Sequence, residues 1–281
     1  MVDDYDIIVL GSGVTASLLA SELRTRFRLL VLDVPDSIPS RSYASAQSSA
    51  IDGELAGATE GRYGDQCVWN LDALKRMLRA NGGEPLIAAI HSYSCSADRF
   101  TIATSRGIYT GRLVIDCLHG KSPIALHAQL ATVAGFLLIY SRIVHAQANV
   151  PVCKHQRLSA HGGLVETLPL KNDTVQRTLS VNAAHLRRRS NLDRDLQLGG
   201  MDDLCARSAL CGGIVSRLRV LRRALDGYLL YGAEEEQLPD NAASLTLVLR
   251  TFRPAARWIA DRISRNRLST ADLQATPYAV I

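Results

Sequence analysis

The sequence predicts an α/β protein that opens with a parallel βαβ unit. Three observations predict it. Residues 6–10 (DIIVL) form a short β-branched, apolar run that leads straight into Gly11-Ser12-Gly13. Residues 15–24 follow with a helical period that places Leu18, Leu19 and Leu23 on one side, and residues 29–32 (LLVL) form a second apolar run that ends at Asp33. Unbroken apolar strands on either side of a helix are what a sheet buried on both faces requires. Strand, glycine turn, helix, strand and acid, in that order, make the signature of a Rossmann-like dinucleotide-binding unit.

The spacing Gly11, Gly13, Ala16 fits G-x-G-x-x-G/A. The first glycine permits the tight turn and the second lets the backbone approach a pyrophosphate. The third position packs helix against strand, and alanine is accepted there. The helix N-terminus brings free N–H groups and a positive dipole end to the phosphates. Asp33, at the end of the second strand, is placed to take ribose hydroxyls, and a carboxylate there argues against a 2′-phosphate, so NADP is not expected as the first ligand. The same residues also suit a unit that keeps this shape without binding a nucleotide.

Farther on, residues 35–64 are rich in Ser, Ala and Gly and lack a period, so a long loop or a set of short pieces is expected. Residues 71–80 read as an amphipathic helix stopped by Asn81-Gly82-Gly83. Residues 87–91, 99–104 and 107–110 read as a small antiparallel meander that turns at Ser105-Arg106-Gly107, and 112–117 (RLVIDC) as a separate apolar strand. Residues 131–181 are strand-rich, with 174–181 alternating as a strand with one wet face. Residues 187–205 are polar and irregular. A strand is expected over 228–231 after Asp226-Gly227, and a long helix over 242–264, where Pro254 marks a kink or a joint. The last dozen residues read as a tail.

Composition narrows the function classes. The 281 residues are 47% hydrophobic and 21% charged, ordinary for a globular protein. The net charge of +5 resides largely in scattered arginines, and only 5% of residues are aromatic, so nucleic acid is not expected as a partner. Residues 124–140 form the longest apolar stretch; it is short and carries His127 and Gln129, so no membrane span is expected. Three acids in the first six residues do not suit a signal peptide, and six cysteines without a C-x-x-C pair or zinc-finger spacing suit reduced thiols; a cytoplasmic protein without a metal is expected. No G-x-S-x-G elbow, P-loop or H-E-x-x-H is present.

Three further segments carry a family resemblance. Residues 112–120 (RLVIDCLHG) resemble the strand ending in Asp-Ala-Thr-Gly of the FAD-dependent monooxygenase and halogenase superfamily, with Cys-Leu-His in its middle. Residues 162–170 (GGLVETLPL) with 174–181 resemble its substrate-domain strands, roughly Gly-Gly-Trp-x-Trp-x-Ile-Pro-Leu. Residues 227–256 resemble the segment in which a strand gives Gly-Asp and an Asp-Pro loop leads into a helix ending in paired alanines. The resemblance covers nearly the whole chain. It implies a Rossmann-like FAD-binding domain of the glutathione-reductase type over residues 1–125, an interleaved β-rich substrate domain over 126–215, and a return to the first domain, with a C-terminal helix, over 216–281.

The resemblance also implies FAD as cofactor, with NAD(P)H or a reductase partner as electron source. The activity implied is that of a flavoprotein oxidoreductase, monooxygenase-like, acting on an aromatic, isoprenoid-like or peptide-borne substrate; the flavin carries the chemistry. Cofactor contacts fall on Gly11, Gly13, Ala16, Asp33, Arg41, Gly232 and Asp240; for Arg41 a plain surface role is the alternative. His119 and Lys121 flank Gly120 at the end of a sheet strand, where ligands of open α/β sheets sit, and are candidates to polarise a substrate, with a hydrogen-bonded turn as the alternative for His119. His155 and His161 are candidate bases near the substrate-domain strands. Glu234 belongs to an acid run, Glu234-Glu235-Glu236, that is either a solvated loop or turned to the pocket.

Three positions depart from the family pattern. Ala233 stands where the family has the aspartate that contacts the ribityl chain, Pro239-Asp240 reverses the Asp-Pro order, and the glycine that opens the last helix is absent among residues 242–245. Two readings follow: a flavoprotein oxidoreductase, or a non-redox descendant, a cyclase or a partner subunit, with weakened flavin binding. An NAD-dependent dehydrogenase is disfavoured because the downstream matches are to FAD proteins.

Overall fold

A computed structural model describes residues 2–35, 42–50, 53–96, 99–118, 122–145, 153–158, 163–182, 211–231 and 241–275. The chain begins with β1 (Val2–Leu10), α1 (Val14–Leu23) and β2 (Leu29–Asp33). β1 and β2 run parallel, from Ile7 opposite Leu29 to Leu10 opposite Leu32. Ile7, Ile8, Val9 and Leu10 are all fully buried, which is why the run lacks alternation: both faces of the strand are covered.

Residues 35–64 hold more order than their composition predicts. β3 (Tyr43–Gln47) and β4 (Thr59–Tyr63) flank β5 (Gln66–Asn70) in a three-stranded antiparallel sheet, and two 3₁₀ turns lie between β3 and β4. Ala44, Ser45 and Ala46 are buried without regard to polarity, so the strand carries no hydrophobic period. α2 (Leu71–Gly82) is capped by Asn70, whose side chain accepts from Ala73 N at 2.9 Å.

β6 (Leu86–Ile87) joins β2 in parallel, and β7 (Ile90–Cys95), β8 (Phe100–Thr104) and β9 (Gly107–Asp116) form the meander. The two strands expected on either side of Gly111 are one. β9 pairs with β8 over its first half and in parallel with β1 from Ile108 to Asp116. Gly111 is no turn; a Cβ there would lie 3.0 Å from Ile8 Cγ1, so the close approach of β1 selects glycine.

α3 (Pro123–His127) leads into a second, wholly antiparallel sheet. It comprises β10 (Ala131–His145), β11 (Lys154–Leu158), β12 (Gly163–Pro169), β13 (Thr174–Asn182) and β14 (Cys211–Val220), in the order β11-β12-β13-β10-β14. β13 has no wet face. Gln176, Thr178 and Ser180 are as buried as Val175, Leu179 and Val181. Their polar groups are met within the protein: Gln176 Nε2 donates to Tyr43 O at 3.0 Å, and Thr178 pairs with Ser141 at 3.0 Å.

β15 (Ala224–Leu225) and β16 (Tyr228–Leu230) return to the first sheet, with β16 parallel to β9. α4 (Asn241–Ser264) is a single helix with Pro254 inside it, so the proline is not a joint between two helices. The expected tail includes α5 (Thr270–Gln274), which buries Leu273 completely against the same core. That core joins Leu19, Leu23, Leu113 and Ile115 to Ala255, Ile259 and Ile263 of α4, each large side chain contributing roughly 1.5–3 kcal/mol. On the opposite face Ile8, Leu10 and Val114 meet Phe100 and Tyr228.

Candidate functional site

The glycine turn is built by the three strand ends around it. Gly11 has φ +105° and donates its N–H to Leu32 O at 2.8 Å; a Cβ there would sit 3.2 Å from Cys117 O. The residue is therefore fixed as glycine twice, by its backbone angle and by the neighbouring strand. Gly13 is different. It is the N-cap of α1 with φ −66° and ψ 174°, angles open to any residue, and a Cβ there meets nothing within 4 Å. No side chain caps the helix, and no basic or acidic residue occupies its first turn. Ser17 N reaches Gly13 O at 3.0 Å, and the N–H groups before it lie ahead of the helical ladder. This combination suits an anion. Ala16 is fully buried in the core between α1 and the sheet, as the third position requires.

Asp33 lies beside this turn. Its Oδ2 accepts from Ser12 Oγ, and its Oδ1 from Val34 N at 3.0 Å. Ser12, between the two glycines, thus orients the carboxylate. A carboxylate accepts about four hydrogen bonds, so lone pairs remain for the two hydroxyls of a ribose. Free helix N–H groups, an unfilled Cβ position and an oriented carboxylate fit the ADP half of a dinucleotide.

A second polar cluster escaped the sequence reading. Asp116, at the end of β9, is fully buried and accepts from Leu118 N at 2.8 Å through Oδ1, and from the Ser122 and Tyr228 hydroxyls through Oδ2. Burial and the adjacent Asp116 push the Tyr228 phenol well above its ordinary range, so it stays a donor. Ser122 also caps α3 by accepting from Ala125 N at 2.9 Å. The cluster pins the exit of β9, the N-terminus of α3 and β16 to one another. Its trace in the sequence is the aspartate that closes the apolar run of residues 112–117 and matches the Asp of the Asp-Ala-Thr-Gly pattern. Burial likewise pushes the Cys117 thiol well up, which leaves it a poor nucleophile at neutral pH.

The structure brings Gly11, Gly13, Ala16 and Asp33 together. Arg41, His119, Lys121, His161, Gly232, Glu234 and Asp240 lie outside the described residues, as do Ala233 and Pro239. His155 lies in β11, paired in register with Glu166 of β12. Glu166 is buried and accepts from Ser45 Oγ at 3.3 Å, which ties the five-stranded sheet to β3. Within residues 162–170 it occupies the place of the second tryptophan of the family pattern. Among the described residues no group of His, Cys, Asp and Glu is arranged to hold a metal ion. No helix there is long and apolar enough to cross a membrane.

No family model matches the chain, and no curated protein matches it in sequence. Solved structures do match in shape. The halogenase PltM, in complex with phloroglucinol and FAD, superposes with a TM-score of 0.72 at 15% identity, over 95% of this chain and 72% of its own. PqsL from Pseudomonas aeruginosa, described as a probable FAD-dependent monooxygenase, gives 0.66 at 16% identity over 97% and 90%. The Diels-Alderase PyrE3 of pyrroindomycin biosynthesis gives 0.67 at 14% identity over 97% and 69%. The chain has the fold of the FAD-dependent monooxygenases and halogenases.

Proposed function

We propose that the chain is an FAD-dependent oxidoreductase of the monooxygenase kind. The observation that carries this reading is the uncapped N-terminus of α1 at Gly13, open to an anion and set beside the oriented Asp33, within a fold shared with PltM and PqsL. Gly13 and the first turn of α1 receive the pyrophosphate, Asp33 takes the ribose, and Ala16 keeps the helix close to the sheet. When bound, FAD supplies the redox chemistry; the protein positions it and excludes water. Arg41, Gly232 and Asp240 complete the cofactor contacts in this reading, and His119, Lys121 or Glu234 act on the substrate. That substrate is a small molecule or a peptide side chain, aromatic or isoprenoid-like, and NAD(P)H or a reductase supplies electrons. The protein works in the cytoplasm, without nucleic acid or membrane as partner.

A second reading has its own support. Ala233 and the reversed Pro239-Asp240 weaken the expected flavin end, and a Diels-Alderase is among the structural neighbours. A non-redox or non-catalytic descendant would keep the ADP site and lose the flavin function. The visible spectrum of the purified protein, alone and with added FAD, separates the two. Bound flavin that NAD(P)H or a reductase reduces supports the oxidoreductase. A colourless protein that takes up no FAD at micromolar concentration sinks it.

A further inference from the structure

We propose that the outer face of α4 docks a partner protein by that partner's acidic surface, with Arg250, Arg257 and Trp258 at the contact. The inference does not depend on the flavin reading. Residues 245–267 hold six arginines and a single acid, Asp261, so this stretch carries a net charge of +5, the value for the whole chain, and the remainder is neutral overall. α4 turns Leu249, Phe252, Ala256, Ile259 and Ile263 inward, all buried. Leu247, Arg250 and Arg257 stand exposed on its other side, with Trp258 partly exposed beside them. The acids near this face are already engaged, Asp261 by Arg265 at 2.8 Å, and Glu22 and Glu54 by Arg253. Arg250 is steadied by neutral oxygens, those of Gln47 and Ser49. Cations spaced three and four residues apart on a helix repel, as Arg250, Arg253 and Arg257 must. Glu22 and Glu54 relieve Arg253, whereas Arg257 meets no acid among the described residues, so a carboxylate for it has to come from outside. The cations here are all arginine, and one of them, Arg262, lies 5.0 Å over the Trp258 ring. Arginine and tryptophan are the side chains that protein interfaces favour over lysine. From Leu247 to Ser264 the face is about 25 Å long at 1.5 Å per residue. That is close to the breadth of a standard interface patch of about 800 Å² per partner.

The test titrates poly-L-glutamate, as a model acidic polypeptide, into the full chain at about 0.01 M salt, where charges act over about 30 Å. Calorimetry gives the affinity, and Trp258 emission reports the place, because the other tryptophan, Trp69, is fully buried. The parent should bind with a change in that emission and release the polymer in about 1 M salt. The triple variant Arg250→Glu, Arg257→Glu, Arg265→Glu should bind at least about tenfold more weakly. A control triple, Arg62→Glu, Arg76→Glu, Arg106→Glu, makes the same change in net charge at three exposed arginines elsewhere and should stay within about twofold of the parent. A parent that does not bind, or binds without a change in Trp258 emission, overturns the proposal. So do equal losses in the two triple variants, which would show an effect of net charge alone. Vesicles of phosphatidylcholine with phosphatidylglycerol, and a DNA duplex, are titrated in parallel; tighter binding of either overturns the proposal in favour of a membrane or a nucleic acid. If the first triple fails to fold, Arg257→Glu decides, since Arg257 has no ion pair to lose: it should weaken binding about threefold, and an affinity equal to that of the parent overturns the proposal.

Discussion

Gly13→Val places a branched side chain at the one position in the glycine turn where the apo fold has room for it. The backbone angles of Gly13 suit valine, and its Cβ would meet nothing within 4 Å. Glycine is a better N-cap than valine by roughly 1 kcal/mol. Reduced freedom of the unfolded chain returns about 0.4–1 kcal/mol. The net change in stability is therefore less than about 1 kcal/mol, a shift in Tm of no more than about 4 °C for a chain of this size. Binding should respond very differently. Two first-turn N–H groups displaced from a pyrophosphate forfeit about 1.5 kcal/mol each, or about 3 kcal/mol, which is about a hundredfold in Kd. Thermal unfolding without ligand and FAD titration followed by flavin fluorescence measure the two quantities on one preparation. A variant that binds FAD within about threefold of the parent refutes the placement of the phosphates at α1. A variant that loses more than about 2 kcal/mol without ligand refutes the claim that Gly13 is glycine for the ligand's sake.

The neighbouring positions predict other outcomes. Gly11→Ala is expected to cost about 2 kcal/mol or more in the apo protein, because its φ of +105° is strained for alanine and its Cβ presses on Cys117 O; urea unfolding measures it, and a neutral result contradicts the geometry. Tyr228→Phe removes one of the donors to buried Asp116 and should cost about 2 kcal/mol in the same assay; a change below about 0.5 kcal/mol would show that the phenol is not needed there. Asp226 accepts from both the N–H and the hydroxyl of Thr270, which lowers its carboxyl pKa in the folded state. Because the folded value is the lower one, its stabilisation is present above the unfolded value and is lost as pH falls through the folded one. Asp226→Asn should thus be destabilising at pH 7 and less so at pH 3, by a fraction of 1 kcal/mol since the group is exposed to solvent. An equal effect at both pH values would contradict the assignment.

The βαβ unit was legible because three independent signals coincide within it: an unbroken apolar strand, a glycine spacing and a leucine period. Other elements were hidden for identifiable reasons. β3 reads Tyr-Ala-Ser-Ala-Gln, small residues that pack closely and leave no hydrophobic alternation. β9 looked broken because glycine marks turns far more often than tight strand contacts, and Gly111 serves the contact with Ile8. β13 looked half-wet because a polar residue reads as exposed, whereas Gln176 and Thr178 bond to Tyr43 and Ser141 from other parts of the chain. Of the site, Gly11, Gly13, Ala16 and Asp33 were legible through local spacing. The roles of Ser12 and Asp116 were not, since each takes its meaning from partners that only the folded chain brings near.

The packing of α4 onto α1 bears on how the protein is made. Leu19 and Leu23 emerge from the ribosome long before their partners Ala255, Ala256, Ile259 and Ile263. At about 10 residues per second, roughly 20 s separate the two. During that interval the nascent βαβ unit displays an apolar side with nothing to cover it, a natural target for holdase chaperones. The segment that carries the nucleotide site thus waits for α4 to cover it, so removing α4 should abolish ligand binding as surely as damage to the glycine turn.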